Sequence, residues 1–166
     1  MSYYIWLVVN VLFVIITAIY IWLFRTQDSS IILLGQFLAQ IGILFFLVNV
    51  NMYFIFLVIR KSRTRKLKIN LAKISRKMMK AHIPFAIMGT IIIIFHGIIM
   101  LYKMGDIVSF TNSKLLSGYA AILLLSVTLF AGYLRHKRSS GFRRRFHLVA
   151  ALTFTSFFIL HLFLPL

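Results

Sequence analysis

The chain has 166 residues, 61% of them hydrophobic, and its mean hydropathy of +0.97 lies outside the range of soluble globular domains. It carries a formal net charge of +17, with only two acidic residues, Asp28 and Asp106, and no cysteine. This composition excludes disulfides, iron–sulfur clusters, thiol nucleophiles, paired catalytic carboxylates and acidic metal cages, and it indicates a multi-pass membrane protein.

Five apolar runs are long enough to cross a bilayer, because a helix rises about 1.5 Å per residue and needs about 20 residues to span the hydrocarbon. We therefore predict an all-α integral membrane bundle of five transmembrane helices that forms a single domain over 1–166. No cationic segment or cleavage site accompanies the first run, so we expect a retained helix and not a signal peptide. The runs are 3–24, 31–59, 81–102, 115–134 and 146–166.

The second run is longer than a span requires and contains several polar side chains. It either tilts strongly or extends beyond the bilayer at one end. The polar groups are interpreted either as the lining of a quinone pocket or, preferably, as interhelical hydrogen-bonding groups. They are Gln36, Gln40, Asn49, Asn51 and Tyr53.

The basic segment 61–80 between the second and third runs has two interpretations. Apolar residues recur in it at helical spacing, which is typical of an amphipathic helix lying on the inner leaflet. The alternative is a solvated basic loop that only fixes the topology. The apolar residues are Leu67, Leu71, Ile74 and Met78.

Lysine and arginine predict the orientation of the spans. Sixteen of the nineteen lie in the segments 60–80 and 135–145, whereas Arg25, Lys103 and Lys114 lie in the alternate loops. Basic residues accumulate in cytoplasmic loops, so we expect the N-terminus in the cytoplasm and the C-terminus outside. Because the charges adjoin apolar spans, they indicate contact with anionic lipid and not with nucleic acid.

Four histidines occur in two pairs of equal spacing, His82 with His96 and His147 with His161, each fourteen residues apart within an apolar run. Polar groups are costly inside a membrane, so an intramembrane histidine is a functional hypothesis in its own right. Fourteen residues fall about 40° short of four helical turns, which places both members of a pair on one helix face about 21 Å apart along the axis.

The predicted topology makes the third and fifth helices parallel, so the histidines match in depth. We expect His82 to face His147 and His96 to face His161, each pair supplying both axial ligands of one haem b. Gly89 lies midway between the ligands on the same face and would give a porphyrin room, or would serve a helix–helix contact.

Further residues are candidates for contact with the two haems. Phe154 corresponds to Gly89 on the fifth helix and would lie between the haem edges, or simply pack there. Haem propionates are expected to meet basic side chains at the membrane surfaces. These are Lys80, Arg135, Arg144 and Arg145 on the inner side and Lys103 and Lys114 on the outer side.

On these histidines, the chain resembles the transmembrane domain of the ferric reductase and NADPH oxidase superfamily. That family has six helices, of which the third and fifth each carry two haem-ligating histidines at this spacing. The resemblance covers 81–166 by motif and the rest by topology. It implies a dihaem b-type cytochrome with His82, His96, His147 and His161 as the iron ligands.

The chain departs from that family because it lacks a sixth span, a flavin or nicotinamide domain and a glycine-rich dinucleotide motif. The resemblance therefore implies electron transfer from a separate flavoprotein, soluble carrier or quinol to an extracytoplasmic acceptor. From the small size and the lack of targeting segments we expect a plasma membrane of bacterial type. The chain would be the electron-transferring component of an oxidoreductase. The alternative is a haem-free anchor, assembly subunit or small transporter in which the histidines make interhelical hydrogen bonds.

Overall fold

The computed structural model describes residues 3–23, 29–104 and 109–165, and the regular structure in these ranges is helical. Each of five helices is long and apolar enough to cross a membrane, as predicted. The end of the first predicted span, Arg25, both acidic residues and Leu166 lie outside the described residues. The helices are α1 (Tyr3–Leu23), α2 (Ser30–Lys61), α3 (Arg65–Met104), α4 (Ser113–Lys137) and α5 (Gly141–Phe163).

Polar residues in the connections determine where the last two helices begin. The Asn112 side chain accepts a hydrogen bond from the backbone N–H of Lys114 at 2.8 Å, which caps α4. The Ser140 hydroxyl accepts one from the backbone N–H of Arg143 at 3.2 Å, which caps α5. Such caps satisfy N–H groups that have no partner within the helix. Helix α5 therefore starts at Gly141, before the apolar run at 146.

Helix α3 is the longest element, with 40 residues, and it starts well before the predicted span at 81. The segment interpreted either as an amphipathic helix or as a solvated loop is helical and continuous with the span. The loop interpretation is therefore wrong. Leu71 and Ser75 are buried on one side of this basic extension, at 6% and 4% exposure. Pro84 lies inside the helix, and because proline has no N–H, the Lys80 carbonyl loses its helical donor.

The chain divides into two compact units, Met1–Leu101 and Tyr102–Leu166. The first unit contains α1, α2 and most of α3. The second contains α4 and α5, which pack together along their length. His82 and His96 belong to the first unit, and His147 and His161 belong to the second.

In the first unit, glycines allow α2 and α3 to approach closely. A Cβ atom added at Gly42 would lie 2.5 Å from Cδ1 of Ile93, and one added at Gly35 would lie 2.9 Å from Cε of Met100. Real Cβ atoms do not approach other atoms so closely, so a larger residue at either position would force a neighbour to move. Small residues at helix contacts are typical of membrane bundles, where van der Waals packing drives association.

Side-chain amides join α1 to α2 in the same unit. Asn51 accepts a hydrogen bond from the Trp6 indole N–H at 3.0 Å and donates through its Nδ2 to Asn10 Oδ1 at 2.7 Å. The Asn10 amide in turn donates to the Trp6 carbonyl at 2.8 Å. Asn51 therefore has the interhelical hydrogen-bonding role preferred from the sequence.

Candidate functional site

His161 is held against the first turn of α4 by its Nδ1 atom. That atom lies 3.2 Å from the Lys114 carbonyl oxygen and 3.0 Å from the Ser117 hydroxyl oxygen. The Ser117 hydroxyl donates its own hydrogen to the Lys114 carbonyl at 2.8 Å. The carbonyl can only accept, so the histidine carries its proton on Nδ1, and the hydroxyl oxygen is a second acceptor for it.

His147 has the same kind of partner nearer the other end of the helix pair. Its Nδ1 atom lies 3.2 Å from the backbone carbonyl oxygen of Thr128. Lys114 and Thr128 are fourteen residues apart. Helix α4 therefore presents one carbonyl acceptor to each histidine of α5, at the spacing of the histidines themselves.

Two glycines on α4 make room for these imidazole rings. A Cβ atom added at Gly118 would lie 3.1 Å from Cε1 of His161, and one added at Gly132 would lie 3.3 Å from Cε1 of His147. Each glycine follows its carbonyl residue, Lys114 or Thr128, by four positions. Residues four apart lie on the same helix face, so the missing side chain is the one that would cover the carbonyl.

In the first unit, His96 also bonds to a backbone carbonyl of a neighbouring helix. Its Nδ1 atom lies 2.9 Å from the carbonyl oxygen of Gly35 in α2. Asn49 follows Gly35 by fourteen residues in α2, and His82 precedes His96 by fourteen residues in α3. Because the two helices run antiparallel, Asn49 lies at about the level of His82. The Oδ1 atom of Asn49 is buried and has no hydrogen-bond partner among the described residues.

The hydrogen bonds determine which ring nitrogen can act as a ligand. A carbonyl partner at Nδ1 requires the proton to be on that atom, so the lone pair lies on Nε2. Iron-ligating histidines characteristically donate their other ring N–H to a carbonyl or carboxylate. His96, His147 and His161 therefore have the protonation pattern and support that a haem ligand needs.

The residues predicted to surround the haems lie in different environments, some in packing contacts and some exposed at the surface. Gly89 lies against α2, where an added Cβ would be 3.1 Å from the Phe45 Cβ, so it serves a helix–helix contact. The Phe154 ring lies 5.9 Å from that of Phe158. Lys103 lies 5.2 Å from the ring centre of Tyr102. Lys80 and Arg145 are exposed.

Lys114 has a role that the sequence reasoning missed. The residue is buried at 5% exposure, and its ammonium donates to the carbonyls of His161, Leu162 and Leu164 at the end of α5. The three N–H groups of the ammonium thus bond to three carbonyls that have no hydrogen-bond donor within the helix. The equal spacing of Gly118 and Gly132 was visible in the sequence and would have indicated the histidine contacts.

Within the described residues no three histidine, cysteine or acidic side chains come together to form a larger metal site. The pairing of His82 with His147 and of His96 with His161 joins the two units and stays a prediction. The sequence matches no known family model, and no curated protein and no solved structure is significantly similar to it.

Proposed function

We propose that this chain is the membrane part of a dihaem b-type cytochrome that carries electrons across the bilayer, similar to the transmembrane domain of ferric reductases. Helices α3 and α5 each supply one ligand to each haem. His82 and His147 hold the haem near the cytoplasmic surface, and His96 and His161 hold the haem near the outer surface. The membrane is a plasma membrane, of bacterial type.

The observation that carries the proposal is the matched support of the two α5 histidines. His147 and His161 lie fourteen residues apart, and two carbonyls of α4 at the same spacing accept their Nδ1–H groups. Such support orients the Nε2 lone pair, which is the atom that ligates iron. A single histidine with this support is common. Two such histidines at two different depths in the membrane favour two bound cofactors.

The orientation follows from the basic segments. The linker between α2 and α3 and the one between α4 and α5 adjoin the two lysine- and arginine-rich segments, so both are cytoplasmic. Helices α3 and α5 then both run outward, and their histidines match in depth. His82 in α3 and His147 in α5 are then the histidines nearer the cytoplasmic surface.

When bound, haem would supply one-electron transfer between these depths. The chain's own contribution is to hold the imidazoles in one tautomer, to exclude water with its apolar helices and to bring electron donors to its inner surface. Lys80 and Arg145 would neutralise inner propionates, and Lys103 would neutralise an outer one. The basic inner surface attracts anionic lipid and an acidic flavoprotein or carrier, while a quinol would arrive through the bilayer.

The test is the spectrum of the full chain, expressed with an adequate haem supply and purified in detergent. We expect a b-type α-band in the reduced-minus-oxidised spectrum and close to two haems per chain. A colourless chain that is folded and helical by circular dichroism would contradict the proposal.

A haem-free anchor or assembly subunit is the second candidate. It is favoured by the same hydrogen bonds, because His96, His147 and His161 each join two helices through Nδ1 and would stabilise the bundle without any cofactor. Under this alternative, replacing His147 or His161 lowers the thermal stability of the chain, and added haem does not change that stability.

A further inference from the structure

One buried cation lies beside the outer ligand of α5. The Lys114 side chain is 5% exposed, and its ammonium donates to the carbonyls of His161 and Leu162 in α5 and of Leu164 just after it. The Lys114 carbonyl accepts a hydrogen bond from the same histidine's Nδ1. Lys114 therefore contacts His161 through both its side chain and its backbone.

The Lys114 side chain has the hydrogen-bond partners that an ammonium ion needs. Three carbonyl oxygens match the three N–H donors of an ammonium, and they belong to the last turn of α5, where the helix dipole is negative. The charge is fixed in position because the side chain is buried and hydrogen-bonded. Water screens it far less than it screens an exposed lysine.

We propose that Lys114 raises the reduction potential of the haem that His161 would hold above that of the haem that His147 would hold. The inference rests on the proposed function. A ferric haem carries one more positive charge than a ferrous one, so a nearby fixed cation favours the ferrous form. Lys114 is a positioning residue, since it acts through its charge and through the end of α5 that carries His161.

The basic residues near the connection between α4 and α5 are more exposed than Lys114. Arg143 donates to the Leu134 and Arg138 carbonyls, so it caps the end of α4 much as Lys114 caps the end of α5. Its side chain is only half-buried, and Arg135, Arg144 and Arg145 are exposed. Water and salt weaken the effect of such charges at the inner site.

The helix dipoles do not reverse this difference. Because α4 and α5 are antiparallel, a positive end of one lies beside a negative end of the other at both membrane surfaces. Among the described residues of α4 and α5, Lys114 is then the buried charged side chain beside the outer ligand. Electron transfer from the inner to the outer position, which moves no proton and breaks no bond, runs downhill.

The experiment is a redox titration of the purified haem-loaded chain, followed at the α-band. His161→Ala removes the outer haem and so identifies the wave of the inner one. In the unchanged chain we expect the titration step of the outer haem, the outer wave, to lie at the higher potential. In Lys114→Gln the ferrous-to-ferric ratio of the outer haem at a fixed potential should fall about tenfold, a shift of about 59 mV for one electron.

Two further variants separate charge from structure. Lys114→Arg keeps the charge and should restore the outer potential, and Arg143→Gln removes the matched cap of α4 and should leave the outer wave unchanged. An outer wave below the inner one in the unchanged chain, or an outer wave that Lys114→Gln does not move, overturns this inference alone. A chain that binds no haem overturns the proposed function together with it.

Discussion

His147 donates through Nδ1 to the backbone carbonyl of Thr128 at 3.2 Å, one helix away. His161 repeats the contact with the carbonyl of Lys114, fourteen residues earlier in α4. Helix α4 is thus the support for both histidines of α5, although it contributes no ligand side chain of its own. The geometry of the proposed haem site therefore depends on a helix that carries no histidine in its membrane-spanning part.

Alanine at Gly118 or Gly132 is predicted to displace the histidine opposite. The added Cβ would lie 3.1 Å or 3.3 Å from the imidazole, closer than most Cβ contacts, and the ring is held by its hydrogen bond. We expect a loss of about 1–3 kcal/mol of stability, as for other overpacked sites. Thermal unfolding in detergent measures this loss, and the haem content of Gly132→Ala should fall at one site only.

Gly141→Ala is the matched control for both variants. Apart from its chain neighbours and the adjacent helix backbone, no described atom lies within 4 Å of a Cβ added at that position, the first of α5. Alanine also has a higher helix propensity than glycine, so the stability should stay the same or rise slightly. An equal loss at all three glycines would mean that the histidine contacts do not explain the effect.

The sequence was sufficient to predict five helices and the approximate bounds of four of them, because apolar length alone decides which segments are long enough to cross a membrane. It could not decide between helix and loop before residue 81. Apolar residues recur there at helical spacing, but a short periodic segment among basic residues is compatible with either state. The sequence therefore did not place the start of α3 at Arg65.

Asn51→Ala is predicted to weaken the link between α1 and α2. It removes the bonds to Trp6 and Asn10 and leaves their polar groups without this partner. Interhelical hydrogen bonds in membranes contribute about 0.6 kcal/mol each and up to about 1.7, so the two bonds together should contribute about 1–2 kcal/mol. Unfolding in a denaturing detergent, monitored by circular dichroism, measures the change.

Asn49→Ala provides the comparison two residues away. The Asn49 side-chain oxygen has no hydrogen-bond partner among the described residues, so its removal relieves an unsatisfied buried group. We expect a smaller loss of stability than for Asn51→Ala. A larger loss at Asn49 would show that the amide network is not the main link of this helix pair.

The proposed orientation predicts which connections face the cytoplasm. The chain contains no cysteine, so single cysteines can be introduced without a background. Thr64→Cys and Ser139→Cys should react with a membrane-impermeant maleimide only after cells are opened. Ser109→Cys should react in intact cells. The reverse pattern would invert the topology and with it the direction of the proposed electron transfer.

The structural role of Lys114 could not be predicted from the sequence. Its position near the start of the fourth span predicted a rim cation for a propionate. The structure instead buries it against the carbonyl end of α5, because an ammonium can satisfy helix carbonyls that have no other donor. Such a contact depends on how two helices are aligned. Local sequence does not determine that alignment.

The pairing of ligands between α3 and α5 is tested most directly by haem content in double variants, measured per chain with purified protein. If His82 and His147 share one haem, the double variant His82→Ala/His147→Ala retains one haem, as each single variant does. His82→Ala/His161→Ala then loses both haems. Retention of one haem in the second double variant, together with loss of both in the first, would contradict the pairing, and two haems in either would contradict ligation by these histidines.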